Sequence, residues 1–489
     1  MTASKMYALE EAVFATGIPA EDLMDRAGLG IARELMRRFP HFSRNLAVAV
    51  TGKGNNGADS LVALKHLRDA GWEVAVRSAV DPASLSGLPL KKWQALGETT
   101  LLDDLSSLQT SRRIFLLDGL LGIGTEGLIR DPLASLAREM NDLRQSGRAT
   151  TIAIDVPSGL DCDTGSSSDD SVMADLTCTL GSPKQGLVAD QAINHVGSLA
   201  LLPLPGLSNF DLQQDHLIHP ATLPVPALTR PFDFHKGNAG RIGIVAGSRG
   251  LAGAAALTSL GALRAGGGLI TLFVKKSDYP FILPLVPVEV MVRPIESYRE
   301  VLEARIDALA IGPGLGDCDH EILSLIQQFS GPAIVDADAL NLIARRGSLS
   351  RIPSRHILTP HPGEMERLLP GVKGSRKDIA LEFVKRCPAT LLYKGARTIV
   401  TGRDHPIAYN TTGTPGMATG GQGDVLTGVI AALIARGLNG FNAAKLGAWL
   451  TGRASEIALG SDSPESLSAT TTAHHLGAAF QDLRLTPVT

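Results

Sequence analysis

Residues 46–67 read LAVAVTGKGNNGADSLVALKHL. Leu46 to Val50 is a short, uninterrupted apolar run of the kind a strand buried on both faces shows. Residues 52 to 57 are too glycine-rich to extend it. From about Asp59, residues Leu61, Val62, Leu64 and Leu67 recur at helical spacing, and Gly71 is placed to stop that helix. Strand, glycine turn and helix together are the repeating unit of a parallel α/β sheet. Further strands are expected at Glu73–Val76, Ile114–Asp118 and Thr151–Asp155, each followed by a loop rich in Gly or Asp. Ligands of such sheets collect beyond the carboxyl ends of the strands.

The same style resumes downstream. Arg241–Ala246, Leu269–Val274, Ala308–Ile311, Ala333–Val335 and His356–Leu358 read as strands, and Ala252–Ala265 as a helix of small residues. Between the two series, residues 203–231 read PLPGLSNFDLQQDHLIHPATLPVPALTRP, where repeated prolines block helices and deny donors to a central strand. This is the expected linker. A chain of 489 residues exceeds what one core serves, so two domains are expected, over 1–218 and 225–489, both α/β.

Composition bounds the function class. With 44% apolar residues, 19% charged and a formal net charge of -3, the chain has the balance of a globular enzyme. No charge excess points to nucleic acid or an anionic membrane as partner. No stretch reaches the roughly 18 apolar residues of a membrane helix, and the N-terminal residues lack a signal-peptide pattern, so a cytoplasmic setting is expected. Cys162, Cys178, Cys318 and Cys387 are far apart and form no C-x-x-C pair, which argues against a cysteine zinc site. A homo-oligomer is expected only because most enzymes of this size are.

In the first half, Gly52-Lys-Gly-Asn-Asn-Gly57 formally satisfies G-x-G-x-x-G between a strand and a helix, suited to a pyrophosphate at the helix N-terminus. A dinucleotide fingerprint also wants an acidic residue at the end of the second strand. Glu73 falls at the start of that strand, so the fit is poor. Asn55, Asn56 and Asp59 add amide and carboxylate groups that a phosphate cradle does not need, and suggest a polar site with a cation. Two more loops converge on the same edge, Asp118-Gly-Leu-Leu-Gly-Ile-Gly124 and Asp155-Val-Pro-Ser-Gly159. Any one of them alone also reads as turn chemistry.

The three loops together resemble the NAD(P)H-hydrate epimerase family, over about residues 5 to 205 and including LEEAVFATGIPAEDLMDRAG at 9–28. The first loop departs from the commoner family form at Ala58 and Ser60, both small. The resemblance implies a Rossmann-like three-layer α/β/α sandwich. It implies that Asn55, Asn56, Gly57, Ala58 and Asp59, with Gly122, Ile123, Gly124, Thr125, Glu126, Gly127 and Leu128, hold the hydrated nucleotide. It further implies that Asn56, Asp118 and Ser158 bind a potassium ion and that Asp155 touches the reacting ring. These are hard oxygen ligands and an acid/base. Reversible loss of the hydroxyl beside the ring nitrogen would scramble its configuration, with Asp155 moving the proton.

The second half carries GMATGGQGDVLTG at 416–428. Glycines let main-chain N–H groups approach a phosphate, and a helix starting near Gly423 adds its positive end. Asp424 beside an anion makes sense as a base on a hydroxyl that attacks the phosphoryl group. It reads equally as the cap of the next helix. His361 alone suits a structural histidine, and Lys394 alone a solvated charge.

GPGLG at 312–316, DADALN at 336–341, TPHPGE at 359–364, KGART at 394–398 and HKGNAGRIGIVAGS at 235–248 stand with it. Together these motifs resemble the NAD(P)H-hydrate dehydratase family of the ribokinase-like α/β/α fold, over about residues 230 to 485. By that resemblance Lys394, Gly395, Ala396, Arg397 and Thr398, with Thr414, Pro415, Gly416, Met417, Ala418, Thr419, Gly420, Gly421, Gln422 and Gly423, bind the adenine nucleotide. Ala254, Gly314, His361 and Asp424 contact the hydrated nicotinamide, Asp424 as base. Bacterial members of this two-domain order use ADP and eukaryotic ones ATP, with magnesium on the nucleotide. The resemblance implies a metabolite-repair enzyme that interconverts the R and S hydrates and dehydrates the S form through a phosphorylated intermediate. The competing readings are a small-molecule kinase of the same fold, of hydroxyethylthiazole-kinase type, and a first half that is a non-catalytic nucleotide-binding or oligomerisation module.

Overall fold

A computed structural model describes residues 1–39, 45–108, 110–124, 127–208, 210–224, 229–317 and 320–485. The chain forms two compact units, Met1–Asn209 and Phe210–Thr489.

The first unit is built on α1 (Ala3–Ala15), α2 (Ala20–Arg38), β1 (Asn45–Thr51), α3 (Asn55–Asp69), β2 (Glu73–Ser78), α4 (Gly87–Leu96), β3 (Thr100–Leu101), β4 (Arg113–Gly119), α5 (Leu133–Gln145), β5 (Ala149–Ile154), β6 (Leu176–Leu180), α6 (Ile193–Val196) and β7 (Ser198–Leu202). Its seven strands are ordered β3-β2-β1-β4-β5-β6-β7, and every pairing is parallel. Every residue of β1 is buried, as an apolar run between two helical layers requires. Helix α2 shows the complementary pattern. Leu23, Ala27, Ile31 and Leu35 lie four apart on its buried face, with Glu21 and Asp22 in the first turn and Arg37 and Arg38 in the last, matching the helix dipole.

The expected helix after β1 begins earlier than about Asp59. Gly54 is extended at the N-cap and α3 starts at Asn55, so Asn55 to Asp59 lie on the helix and not in a loop. Glycine at 57 permits this close turn: a Cβ there would stand 2.6 Å from the Gly52 carbonyl oxygen.

The second unit runs β8 (His216–Ile218), β9 (Arg241–Val245), α7 (Ala252–Arg264), β10 (Leu269–Lys275), α8 (Tyr279–Ile282), β11 (Met291–Ile295), β12 (Ala308–Ile311), α9 (His320–Gln328), β13 (Ala333–Val335), α10 (Ala337–Arg345), β14 (Ile357–Leu358), α11 (Pro362–Leu368), α12 (Arg376–Arg386), β15 (Thr390–Tyr393), β16 (Ile399–Gly402), β17 (His405–Asn410), α13 (Gln422–Ala435), α14 (Gly440–Ala458) and α15 (Ala469–Leu485). Ten strands follow the order β11-β10-β9-β12-β13-β14-β15-β16-β17-β8. The sheet is parallel except where β16 runs against β15 and β17. Strand β8 lies inside the proline-rich stretch read as linker and pairs with β17. The second sheet therefore draws on residues before Pro220, while the compact units part between 209 and 210.

Helix α13 is buried nearly all round, with Val425, Val429, Ile430 and Leu433 fully enclosed. It crosses α7 with no side-chain layer at the contact. A Cβ on Gly261 would fall on the Val425 carbonyl, and one on Gly428 on the Thr258 carbonyl. No helix among the described residues is long and apolar enough to cross a membrane.

Candidate functional sites

Both sheets reverse their strand order once; the polar residues singled out from the sequence lie at and beside the reversal in the first sheet, and in the second His361 and Lys394 follow β14 and β15. In the first sheet the reversal lies between β1 and β4, where the Gly52 backbone meets the Leu120 carbonyl too closely for any side chain. A crevice at such a reversal is where open α/β sheets bind ligands.

Asp118, at the end of β4, is fully buried. Its carboxylate accepts from Ser158 Oγ at 2.6 Å, Ser158 N at 2.8 Å and Leu120 N at 3.3 Å. All these donors are neutral, and burial pushes the Asp118 carboxyl up to about 6 against them. Asn56 Nδ2 donates to the Leu121 carbonyl at 2.7 Å, and Leu121 N to Ser158 Oγ at 2.9 Å. One cluster thus joins Asn56, Asp118, Ser158 and a main-chain carbonyl. A buried carboxylate with neutral partners among hard oxygen atoms fits an alkali cation.

Asp155 follows β5 in the left-handed region at φ 65°, an uncommon conformation for a residue with a side chain. Its Oδ1 accepts from Leu180 N at 2.9 Å, from Thr179 Oγ1 at 3.3 Å and from the Lys184 ammonium. The Lys184 side chain is fully enclosed and donates also to the Leu180 carbonyl at 2.9 Å. Burial and the nearby Asp155 and Glu10 charges drive the Asp59 carboxyl well above its usual range, and burial followed by Asp155 raises Glu10. Tyr7 joins the group, because a Cβ on Gly124 would stand 2.5 Å from its hydroxyl. Lys184, Glu10 and Tyr7 were not singled out from the sequence. The available signal was a lysine just after the apolar run LTCTL, on a strand not expected there.

The remaining loop residues divide. Gly122 faces Asn56, Ile123 packs partly into the core, Gly127 is left-handed and Leu128 is largely exposed. Thr125 and Glu126 lie outside the described residues. Ala58 is buried beside Met24 and Val62. Ser60 donates to the Gly57 carbonyl at 2.6 Å, so the two departures from the commoner loop serve the packing of α3.

In the second sheet the reversal lies between β9 and β12. Gly247 N donates to the Pro313 carbonyl at 2.8 Å and Ser248 Oγ to the Gly314 carbonyl at 2.9 Å, tying the two strand-end loops together. Gly314 is left-handed and packs on Ala254, so these two candidates adjoin. Gly421, left-handed at φ 89°, is the N-cap of α13. Asp424 therefore sits in the first turn and is not the cap. Gly423 stands over a charged floor: a Cβ there would be 3.2 Å from Lys394 Nζ and 3.4 Å from Asp336 Oδ2.

Lys394 is not a solvated charge. Its ammonium donates to Asp336 Oδ1 at 2.7 Å and lies 3.8 Å from Glu364 Oε2. Burial opposes the Lys394 charge, yet Asp336 and Glu364 carry its pKa above the ordinary value. Asp336 also accepts from Thr427 Oγ1 at 2.9 Å, which fastens α13 to the end of β13. Burial first, and Asp336 second, raise the Asp424 carboxyl to about 7, against the pull of Lys394. Burial likewise raises Glu364. Asp336 and Glu364 lay within quoted motifs but carried no assigned role.

His361 has a structural duty. It caps α11, with Nδ1 accepting from Gly363 N at 3.0 Å and Glu364 accepting from His361 N at 2.8 Å. Its Nε2 lies 3.5 Å from Glu364 Oε1, and the ring is half exposed. Residues Lys394 to Thr398 form the turn between β15 and β16. Arg376 clamps it by donating to the carbonyls of Tyr393, Lys394 and Arg397, while Gly395 and Thr398 bond each other. Ala396 is exposed and Arg397 buried.

Along the nest, Thr414 caps the turn Pro415–Met417 by accepting from Gly416 N at 3.1 Å. Met417 reaches toward Gly413. Ala418 ends the turn, Thr419 donates to the Leu467 carbonyl at 3.5 Å, Gly420 faces open space, and Gln422 donates to Thr472 at 3.1 Å.

A buried oxygen cluster beside an Asp–Lys pair on one parallel sheet, and a glycine nest with a buried carboxylate of raised pKa on the other, are arrangements that suit two fused enzyme units. Comparison with known proteins is specific. Residues 242–478 match the family model described as NAD(P)H-hydrate dehydratase, and residues 20–186 the one described as YjeF-related protein N-terminus. A bifunctional NAD(P)H-hydrate repair enzyme of Moorella thermoacetica is 35% identical, over 90% of this chain and 88% of its own. One from Thermofilum pendens is 34% identical, over 97% and 94%. Among solved structures, an ADP/ATP-dependent NAD(P)H-hydrate dehydratase from Bacillus subtilis, co-crystallised with ATP/Mg2+, is similar at 28% identity and TM-score 0.48, covering 56% of this chain and all of that one. The chain belongs to the family of bifunctional NAD(P)H-hydrate repair enzymes.

Proposed function

We propose that the first unit exchanges the R and S hydrates of NAD(P)H through Asp155, and that the second dehydrates the S hydrate with ADP and magnesium through Asp424. The carrying observation is Asp424 itself, a carboxylate with its pKa near 7, one residue past the glycine nest and over the Lys394–Asp336 pair. A base works best with a pKa near the working pH.

In the second unit Asp424 takes the proton of the hydrate hydroxyl, and that oxygen forms a bond to the terminal phosphorus of ADP as the bond to AMP breaks. Nest amides and Lys394 stabilise the charge that builds on the phosphoryl oxygens. The ring nitrogen lone pair then expels phosphate, and loss of a proton from the adjacent ring carbon restores NAD(P)H. Magnesium bound with the nucleotide would neutralise phosphate charge.

In the first unit the donors to Asp155 all converge on Oδ1. Lys184 thereby holds the carboxylate while Oδ2 moves the proton of the leaving and returning hydroxyl. Asn56, Asp118 and Ser158 would hold potassium, whose charge would favour an ionised Asp118. The reading includes a cytoplasmic setting, which the buried free thiols of Cys162, Cys178 and Cys387 suit.

The test mixes both epimers of NADH hydrate with ADP and magnesium, in potassium and in lithium buffers, and follows NADH absorbance. Full conversion, slower in lithium once the S form is consumed, supports the reading. A kinase would leave a phosphorylated product and no NADH. Conversion that stalls once the S form is consumed, leaving the R form, would remove the epimerase assignment.

A further inference from the structure

Beside the second site lies an open groove of about 440 Å³ lined by Asn341, Ala344 and Arg345 of α10 and Arg367 of α11. None of these residues has a part in the chemistry above. Asn341, Ala344 and Arg345 lie three and four residues apart, on one face of α10, and Arg367 reaches across from the neighbouring helix.

The groove is contiguous with the site. Arg367 donates to Asn341 Oδ1 at 3.2 Å, and Asn341 Nδ2 lies 3.5 Å from Asp338 Oδ1. Asp338 in turn accepts from Gly316 N at 2.9 Å in the GPGLG loop that carries Gly314. On the other side, a Cβ placed on Gly363 would stand 3.1 Å from the His361 ring and 3.9 Å from the Arg367 guanidinium. The groove thus begins where the two candidate nicotinamide contacts, Gly314 and His361, leave off.

Its charge is cationic and weakly committed. The Arg345 guanidinium is 3.7 Å from the fully exposed Asp317, and Arg367 is held by a neutral amide oxygen. Two guanidinium groups on facing helices, with an amide between them, match the planar, multi-oxygen geometry of a phosphate.

We infer that this groove receives the adenylate-side phosphate of the hydrated dinucleotide, so that Arg345 and Arg367 select a dinucleotide over a mononucleotide substrate. The inference rests on the second unit acting as the dehydratase. In the hydrate a ribose and the nicotinamide-side phosphate separate the reactive ring from the adenylate-side phosphate, and the ring and that phosphate would fall on Asp424 and on the groove. The contact is remote from the reacting bond and equal in ground and transition states. It acts on KM and leaves kcat alone.

The experiment measures steady-state dehydration of (S)-NADH hydrate and of the hydrate of reduced nicotinamide mononucleotide, for the parent, Arg345→Ala, Arg367→Ala and the double variant, each also titrated with ADP. Loss of one charge-assisted contact is expected to raise KM for NADH hydrate roughly tenfold. The values for kcat, for KM of the mononucleotide hydrate and for KM of ADP should stay within about twofold. The mononucleotide serves as control for folding. A double variant that keeps the parent's preference for the dinucleotide overturns the inference, as does a rise confined to ADP, which would assign the groove to the phosphate donor. A parent that regenerates no NADH overturns the dehydratase reading itself.

Discussion

Asp424→Asn separates catalysis from stability in one substitution. Moving a carboxyl from its usual 3.8 to about 7 sets roughly 4 kcal/mol against the ionised form, at 1.36 kcal/mol for each tenfold. The sign follows from linkage. The folded state holds the proton more tightly than the unfolded one, so stability falls as pH rises from about 4 and the full cost is present above about 7. Asparagine carries no such cost. Without nucleotide, the variant should exceed the parent by about 4 kcal/mol at pH 8.5 and by under about 2 kcal/mol at pH 5. For a unit of this size that is on the order of 10 °C in thermal midpoint at the higher pH. Dehydration should fall by roughly 10²- to 10⁴-fold, the span of a lost general base, while epimer exchange is unchanged. In the parent, kcat/KM for dehydration should rise with pH through about 7, because the ionised carboxylate is the active form. Thermal melts at both pH values, with NADH absorbance for rate, read all of this. A stability gain equal at pH 5 and 8.5, or dehydration at the parent rate, would refute the reasoning.

Lys394→Met removes the cation that draws Asp424 downward and leaves Asp336 and Glu364 uncompensated. The midpoint of any residual pH–rate profile should move upward, and urea unfolding should show a loss of about 3–5 kcal/mol. Lys184→Met and Asp155→Asn should each cut epimer exchange by roughly 100-fold or more, followed by chromatographic separation of the hydrates, while dehydration of purified S hydrate continues. Unchanged exchange in either variant would exclude the pair from the reaction. Gly428→Ala drives a methyl into the Thr258 carbonyl and should lower the stability of the second unit by about 3 kcal/mol or more, read by its denaturation midpoint.

What the sequence disclosed tracks how local each signal is. The strands β1, β2, β4, β5, β9, β10, β12 and β13 announce themselves as apolar runs, and each was expected within a few residues of where it lies. Strand β14 was expected too, at His356–Leu358, whereas β3 is a two-residue pairing that only the neighbouring strand defines. Strand β8 is three residues set among prolines, recruited because β17 offers it a free edge. The antiparallel turn at β15–β17 depends on Arg376 clamping backbone from another helix, which no periodicity encodes. The site divides the same way. Asp118 and Asp155 follow apolar runs and Asp424 a glycine run, so they were visible as strand-end or nest carboxylates. Lys184 and Glu10 acquire meaning only when β6 and α1 are brought beside Asp155. His361 and Lys394 read alone suggested bland duties. For the histidine the cap is real, whereas burial between two carboxylates removes the lysine from solvent.

The crossing of α7 and α13, backbone against backbone at Gly261 and Gly428, also bears on how the enzyme ages and evolves. Ala254 and Asp424 stand in the first turns of those two helices, so the backbone contacts at Gly261 and Gly428 help to set their spacing. Reshuffling apolar side chains elsewhere in the core can soften the fold without detuning that spacing. Drift and damage in the hydrophobic layers should thus shorten the enzyme's lifetime while each surviving molecule keeps its original turnover, making longevity and catalytic quality separately adjustable traits.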